Sequence, residues 1–317
     1  MRLLDFYNKA IQVAIENDPR GKEEVERELQ EKKNEYEKLD PKEREFFDMW
    51  ALTNPYSDSR IIYGTGDEEV KTLMVGIDID TSEIILAELL RHKGIMVDAI
   101  LSHHPSGRPF ASLYTVMGMQ AEILSIAGVP INVAESLTES RSKEVERKIM
   151  PANHTRAYDT AKLLNIPLMS MHTAGDNMVT TFLNKLFEKN KPKTLGDIID
   201  LLLDIPEYKE ASKISNGPKI LIGSKNRKAG KIFVDMTGGT EGSKDIYEIV
   251  KSSGINTIVG MHMSEDHRKE AEKHHINVVI AGHISSDNLG MNLLIDEVTK
   301  GEDINIVECS GFRRIKR

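Results

Sequence analysis

Residues 72–105 read TLMVGIDIDTSEIILAELLRHKGIMVDAILSHHP. Two short runs rich in Val, Ile and Leu flank an amphipathic segment, and the second run leads directly into two histidines. Continuous apolar runs, in contrast to alternating ones, are typical of strands that are covered on both faces by helices. The segment therefore predicts a β-α-β unit within a helix-flanked sheet.

Seven segments of the chain have the composition of such strands, and amphipathic stretches of helical length separate them. The predicted strands are Val70–Ile79, Ile95–Leu101, Val129–Ala134, Ile166–Met171, Lys231–Met236, Asn256–Met261 and Ile276–Ala281. This alternation predicts an α/β fold with helix-flanked, largely parallel sheets. Residues 231–264, KIFVDMTGGTEGSKDIYEIVKSSGINTIVGMHMS, repeat the order of residues 72–105. The repetition is compatible with a duplicated β-α-β unit and equally with the rhythm that any two such units share.

Changes in composition divide the chain into four segments. Residues 1–53 are rich in Glu, Lys and Arg and predict a charged helical extension, solvated in preference to a coiled-coil partner site. Residues 54–190 and 231–317 are predicted to form the first and second α/β lobes. Residues 191–230 are polar, contain three prolines and are interpreted as the connection between the lobes.

Overall composition excludes several classes of protein. Of the 317 residues 39% are hydrophobic and 29% charged, as is usual for a soluble globular chain. Cys309 is the single cysteine, which excludes an intramolecular disulfide or a thiolate metal cluster and fits a reducing compartment. There is no apolar run of signal-peptide or membrane-spanning length, so a cytoplasmic protein without membrane contact is expected. The net charge of -8 argues against nucleic acid as a partner.

Histidines follow four of the predicted strands at the point where each strand ends. These are the pair His103 and His104, and the single residues His172, His262 and His283. In open α/β sheets ligands bind beyond the carboxyl ends of the strands, where loops from different strands converge. Histidines at the ends of four strands in one chain indicate a functional site. The other five histidines, His92, His154, His267, His274 and His275, are predicted to lie on the surface.

Two of these histidines are followed by an aspartate four residues later, His172 by Asp176 and His283 by Asp287. On a helix this spacing places both side chains on one face. The glycine in HTAGD argues for a loop there, whereas in GHISSD a helix is expected to begin near Ser285. Imidazole and carboxylate without thiolate suit Zn, Fe, Mn, Co or Ni as divalent ions, and the sequence does not distinguish among them.

His103 and His104 are adjacent, and neighbouring side chains of an extended chain point in opposite directions. Their rings can share one ion if the chain turns at once, for which Pro105 is well placed. Otherwise they serve two different ions, or one ion and a substrate. Because two carboxylates are available to bridge, a pair of ions is chemically reasonable.

The segments VGIDID, LSHHP, SMHTAGDN, DMTGGTEGS and AGHISSDNLGMNLL occur in this order along the chain. Together they resemble the Nif-three-like family (NGG-one-interacting factor three, domain of unknown function thirty-four), over about residues 54–317. Some family members carry the description GTP cyclohydrolase 1 type 2 homologue. The resemblance implies a two-lobed Nif-three-like fold, a dinuclear metal site between the lobes and assembly into a homo-oligomer, often a hexameric ring.

Carried over onto this chain, the resemblance implies that two divalent ions are held by His103, His104, Asp176, His283 and Asp287. The family usually has Glu where this chain has Asp287. Because the aspartate side chain is one methylene shorter, its ability to bridge both ions is in question. His172 also matches a family position, and it is predicted to orient the site or contact substrate in preference to binding an ion.

The favoured function is that of a metal-dependent hydrolase, in which metal-activated water attacks a small substrate. His172 and His262 are the predicted catalytic residues, because an imidazole can transfer a proton near neutral pH. The family description points to a nucleotide-like or phosphorylated substrate. The alternative is a non-catalytic protein, either for metal storage and delivery or as a metal-stabilised adaptor for other proteins.

Overall fold

Nine strands and fifteen α-helices form the structure, a computed structural model that describes all 317 residues. The strands are β1 Ser59–Tyr63, β2 Thr72–Gly76, β3 Ala99–Ser102, β4 Leu168–Met171, β5 Lys219–Ile222, β6 Lys231–Asp235, β7 Ile255–Gly260, β8 Asn277–Ile280 and β9 Asn305–Glu308. The helices are α1 Leu3–Glu16, α2 Lys22–Lys38, α3 Pro41–Phe46, α4 Thr81–His92, α5 Arg108–Ala111, α6 Leu113–Val116, α7 Gly118–Ile126, α8 Ile131–Ile149, α9 Arg156–Leu164, α10 His172–Asn190, α11 Leu195–Leu203, α12 Pro206–Lys213, α13 Tyr247–Ser252, α14 Glu265–Lys273 and α15 His283–Val298. None of the helices is both long and apolar enough to cross a membrane.

The strands form two sheets of closely similar design. The first has the order β1-β4-β3-β2-β9 and the second β5-β8-β7-β6. In each sheet one edge strand, β1 or β5, is antiparallel to its neighbour, and all other pairs are parallel. The predicted α/β class with largely parallel sheets is confirmed. The common strand order also supports a duplication of one unit, as the two similar 34-residue segments suggested.

Six of the seven predicted strand segments contain a strand. Their apolar sequences revealed them, because β2, β3, β4 and β8 are buried over almost their full length and β6 and β7 in part. The prediction for Val129–Ala134 is wrong. That segment contains Pro130, which has no backbone N–H for a sheet and precedes the first residue of α8. Val129 and Ala134 are buried all the same, and they pack against the second sheet in the same cluster as Ile258.

Three strands escaped prediction because they lie at or beside sheet edges and lack a continuous apolar run. β1, β5 and β9 each expose part of their side chains. Their pairing crosses the segment limits drawn from composition: β9 returns from residues 231–317 to pair with β2. Likewise β5, from the connection 191–230, joins the second sheet beside β8. The limits of the two lobes remain a prediction.

The N-terminal helices differ from one another in burial. α2 is solvated, as predicted for residues 1–53, and α3 begins with a capping box in which Asp40 accepts hydrogen bonds from the backbone of Lys42 and Glu43. α1 departs from that prediction, because its apolar face, which includes Phe6 and Tyr7, belongs to the largest hydrophobic core. The composition of residues 1–53 is dominated by the charged residues 22–45, so it did not reveal the apolar face of this short amphipathic helix.

The two halves of the molecule meet where α10 crosses α15. These helices follow β4 and β8, which hold equivalent positions in the two sheets. At the crossing Gly290 lies against the backbone of Gly175, and a Cβ on Gly290 would come within 2.4 Å of the Gly175 carbonyl oxygen. Only glycine permits so close an approach, which brings the N-terminal turns of both helices side by side.

We expect Gly290→Ala to destabilise the protein by about 1–3 kcal/mol, because the added methyl group must push the helices apart. Urea unfolding followed by circular dichroism measures the change. Gly118→Ala is the matched control, since Gly118 is also helical but has no neighbouring atom within 4 Å of the added Cβ. Equal unfolding free energies for the two variants would contradict the importance of the crossing.

Candidate metal centre

His103 and His104 lie at the carboxyl end of β3, and the chain turns immediately after them. Their backbone N–H groups donate to Gly76 and Ile77, 3.0 and 2.9 Å away, and Ser102 Oγ donates to the His104 carbonyl at 2.6 Å. The two rings consequently face the same site, with centroids 5.1 Å apart. In an extended strand two neighbouring side chains point to opposite faces, and the turn brings these two to the same side.

His172 and Asp176 lie on the first turns of α10, and His283 and Asp287 on those of α15. Each pair shares one helix face, as the i,i+4 spacing predicted. The expected loop at HTAGD is wrong: α10 begins at His172, and the glycine in this motif serves the crossing with α15. α15 likewise begins at His283, two residues before the predicted start.

Asp287 lies at the centre of the cluster, and its two oxygens face different imidazoles. Oδ1 is 3.5 Å from His103 Nε2, whereas Oδ2 is 3.4 Å from His104 Nε2 and 3.7 Å from His283 Nε2. His103 Nε2 is also 3.5 Å from Asp176 Oδ1. Two ligand atoms of a tetrahedral ion, each about 2.0–2.1 Å from the metal, are separated by roughly 3.4 Å. The observed spacings are close to this value, so these atoms could share an ion.

Ligand atoms fall into two groups that have Asp287 in common. One comprises His103, Asp176 and Asp287, the other His104, His283 and Asp287, and the atoms of each group lie within 4.8 Å of one another. A third grouping of the same kind joins His103, His104 and His172. A shared carboxylate with one oxygen directed to each side is an arrangement that suits two neighbouring ions.

Several of these atoms are buried without any hydrogen-bond partner in the protein. They are both ring nitrogens of His103, Oδ1 of Asp176 and both carboxylate oxygens of Asp287. A buried polar atom without a partner costs about 1–3 kcal/mol, and more when it is charged. A cation held between them would satisfy the carboxylate oxygens and His103 Nε2, so the residues present fit one or two divalent ions.

Burial and neighbouring charges strongly shift the pKa values of the residues in the cluster. Burial raises the pKa of Asp176 to about 8 and lowers the pKa of His103 to about 4. Burial would raise the pKa of Asp287 too, but the imidazoles of His103 and His104 outweigh it and hold that pKa well below its ordinary value. A divalent cation would favour the charged form of both carboxylates and the neutral form of each imidazole.

Two further aspartates lie within hydrogen-bond distance of the imidazole rings of His104 and His172. Asp78 Oδ1 is 2.7 Å from His104 Nδ1, and the fully buried Asp58 is 2.8 Å from His172 Nδ1. Asp58 also accepts a hydrogen bond of 2.7 Å from Thr173 Oγ1. Carboxylates in this position fix the tautomer and orientation of an imidazole. Sequence reasoning missed both roles, although Asp78 follows a buried strand as the histidines do; Asp58 precedes the unpredicted β1 and gave no comparable signal.

The predicted catalytic histidines occupy different parts of the site. His172 lies in its centre, with its ring 5.0 Å from that of His103 and Nε2 3.8 Å from Asp176 Oδ2. His262 follows β7 and lies at the margin, with its ring 4.9 Å from that of His283. Their catalytic roles remain predictions.

The cluster opens onto a cavity of about 460 Å³ between the helices α6–α8 and the strands β6–β8. Six of the seven predicted site residues line it: His104, His172, Asp176, His262, His283 and Asp287. His267 lines it as well, and the prediction that this histidine lies on the surface is wrong. It is buried, and its Nδ1 is 2.9 Å from the hydroxyl of Tyr247. The turn at residues 238–243 is held by Gln120, which donates to the carbonyls of Gly238 and Thr240.

No protein-family model and no curated protein matches the chain. Its fold is similar to the crystal structure of a NIF3 superfamily protein from Sphaerobacter thermophilus, with a TM-score of 0.70 and 24% identity over 80% of this chain and 91% of that one. It is also similar to reduced HcgD from Methanocaldococcus jannaschii, with a TM-score of 0.50 and 16% identity over 79% and 87% of the two chains. The chain therefore has the NIF3 fold, as its motifs predicted.

Asp287→Asn is expected to lose at least one bound ion, because it keeps the shape of the side chain but removes the anionic ligand that both groups share. Asp287→Glu is expected to keep both ions, although the extra methylene must fit a fully buried position. Titration of the metal-loaded protein against a chelator measures retention. Asp303→Asn, on an exposed turn, is the control. If the Asn variant retains metal as the wild type does, Asp287 is not a ligand.

Proposed function

We propose that this chain is a metal-dependent hydrolase that holds two divalent ions and acts on a small organic substrate. The observation that carries the proposal is the opening of the His and Asp cluster onto the 460 Å³ cavity. Cavities of this size accept small molecules, and they commonly combine apolar walls with a few converging polar groups. A reactive centre at the base of such a cavity can reach a substrate bound within it.

In this proposal His103 and Asp176 would hold one ion, His104 and His283 would hold the other, and Asp287 would contribute a ligand to each. Asp287 Oδ1 lies near His103 and Oδ2 near His104. These distances support a bridging role for Asp287, although its side chain is shorter than that of glutamate. When divalent ions are bound in such a site, they supply a water of lowered pKa and polarise a carbonyl or phosphoryl oxygen. No serine or cysteine nucleophile is then required.

The chain's own groups prepare the site in three ways. Asp58 and Asp78 fix the rings of His172 and His104, so that their free Nε2 atoms point into the cluster. His172 and His262 are proposed to accept a proton from the attacking water and to donate a proton to the leaving group. The walls of the cavity hold the substrate and reduce the access of bulk water.

The cavity also favours an enzyme over metal storage or an adaptor role. A structural ion is usually enclosed by protein ligands, whereas a catalytic ion keeps a position open to substrate. Here His104 and His283 are one-quarter and two-fifths exposed on their side chains, and both line the cavity. That access supports an open position. The resemblance to the Nif-three-like family suggests a nucleotide-like or phosphorylated substrate.

We expect about two divalent ions per chain in anaerobically purified protein, and one or none in a His103→Ala/His104→Ala variant. Elemental analysis measures the ions. The matched control is His274→Ala/His275→Asn, which replaces an adjacent histidine pair away from the site; Asn suits the left-handed backbone of residue 275. One ion or none in the metal-replete wild type would contradict the dinuclear assignment.

The same proteins test catalysis in a screen of phosphorylated and cyclic-amide compounds, with each metal supplied in turn. Hydrolysis of at least one compound should require metal and should fall by about a hundredfold or more in the His103/His104 variant but not in the control. Stoichiometric metal without hydrolysis of any compound, together with ready transfer of the ions to another chelating protein, would favour storage or delivery.

Assembly into a homo-oligomer, specifically a hexamer, is proposed on the strength of the family resemblance. The apolar side chains of Ile85, Leu86 and Leu89 on the outer face of α4 are exposed, which suits a subunit contact. Light scattering should give six times the 35.6 kDa mass of the chain. A monomer mass would contradict the proposal. Removal of residues 1–50 is unsuitable for this test, because α1 is part of the core.

A further inference from the structure

The cavity next to the metal cluster has a largely apolar lining that the proposed chemistry alone does not require. Apolar side chains come from α6 to α8 on one side and from β6 and β7 on the other. They include Leu113, Leu124, Val145, Ile149, Phe233 and Ile258. Contact between apolar walls and water is unfavourable, so walls of this extent favour the binding of a molecule with an apolar surface.

Asp235 is the exception within the second-sheet wall. It is the last residue of β6, opposite Gly260 in β7, and its side chain is exposed to the cavity. Its carboxylate has no hydrogen bond or ion pair with any other residue, whereas the neighbouring Glu241 accepts from the Ser264 backbone at 2.8 Å and lies 3.6 Å from His267. Enclosure by protein, together with the charge of Glu241, raises the pKa of Asp235 to about 6, against the opposing effect of His262.

The place of Asp235 relative to the metal cluster follows from its neighbours. His262 is close enough to act on the charge of Asp235, and the His262 ring is 4.9 Å from that of His283. Asp235, His262 and His283 line the same cavity, so a molecule in contact with Asp235 that extends past His262 would reach the cluster. It also lies against Phe233 and Ile258, which border the same cavity.

The cationic side chains of the lining are already engaged. Arg141 and Lys148 each lie 2.7 Å from Glu144, and Arg141 also donates to the Glu241 carbonyl at 3.0 Å. An anionic group of a ligand would therefore compete with Glu144 for Arg141 and Lys148 on α8, and the second-sheet wall beside Asp235 has no lysine or arginine. A group with N–H donors finds an unpaired carboxylate, and a hydrogen bond to a charged acceptor is among the stronger ones available.

We propose that the cavity binds an organic molecule with a compact apolar body and an N–H donor group, an amine, amidine or amino-substituted ring, and that Asp235 is the residue that pairs with this donor. The inference rests on the proposed function, since it names the class of substrate for that site. Asp235 selects the ligand and orients its body, while the opposite end of the ligand reaches the cluster beside His283.

The test compares two probes with the same ring system, 1-naphthylmethylamine and 1-naphthalenemethanol, on the full-length protein. Isothermal titration calorimetry measures their affinities for wild type, Asp235→Asn and Asp235→Ser. The matched control is Asp245→Asn, an exposed aspartate ten residues further along that does not line the cavity. Melting curves and elemental analysis of each preparation verify folding and metal content.

Wild type and the Asp245 variant should bind the amine about tenfold or more tightly than the alcohol, and both Asp235 variants should lose that preference while keeping their affinity for the alcohol. An unchanged preference in the Asp235 variants would overturn the inference, as would a loss of metal from them, which would make Asp235 a ligand of an ion. Probe preference without any metal-dependent hydrolysis would refute the proposed function and leave the ligand class standing.

Discussion

Backbone contact between α10 and α15 at Gly175 and Gly290 is the constraint on which the rest of the molecule depends. Each helix continues from a buried strand of its own sheet, so the crossing joins two separate sheets into one structure. It also places the first turns of both helices together, and with them Asp176 and Asp287. A larger side chain at either glycine would separate the carboxylates that two ions must share.

The two halves have similar strand orders but contribute differently to the site. The first half supplies adjacent histidines after β3, and Asp78 and Asp58 behind the rings. After β7 the second half has a single histidine, His262, and its β6 ends in Asp235, which faces the cavity. In this arrangement one half provides most of the support for the metal cluster, and the other provides a wall with an unpaired carboxylate.

Where burial leaves a clear pattern, sequence reasoning succeeded. β2, β3, β4 and β8 are apolar over most of their length because helices cover both faces. The histidines after β3 and β4 lie at one edge of the first sheet, and those after β7 and β8 at one edge of the second, because parallel strands end at the same edge. Edge strands such as β1 and β9 escaped detection since one side faces solvent. The burial of α1, in a segment predicted to be helical but solvated, was missed because its apolar face adjoins a highly charged helix.

From the sequence alone came the α/β class, the family resemblance and the set of histidines and aspartates that converge, since each depends on local pattern or on residue type. Only the tertiary structure decided that HTAGD is helical, that Asp287 directs one oxygen to each group of ligands, and that Asp58 and Asp235 face the site. The physical reason is the same for all of these. They depend on contacts between residues far apart in the chain, above all the helix crossing, and local periodicity contains no record of which distant surfaces will meet.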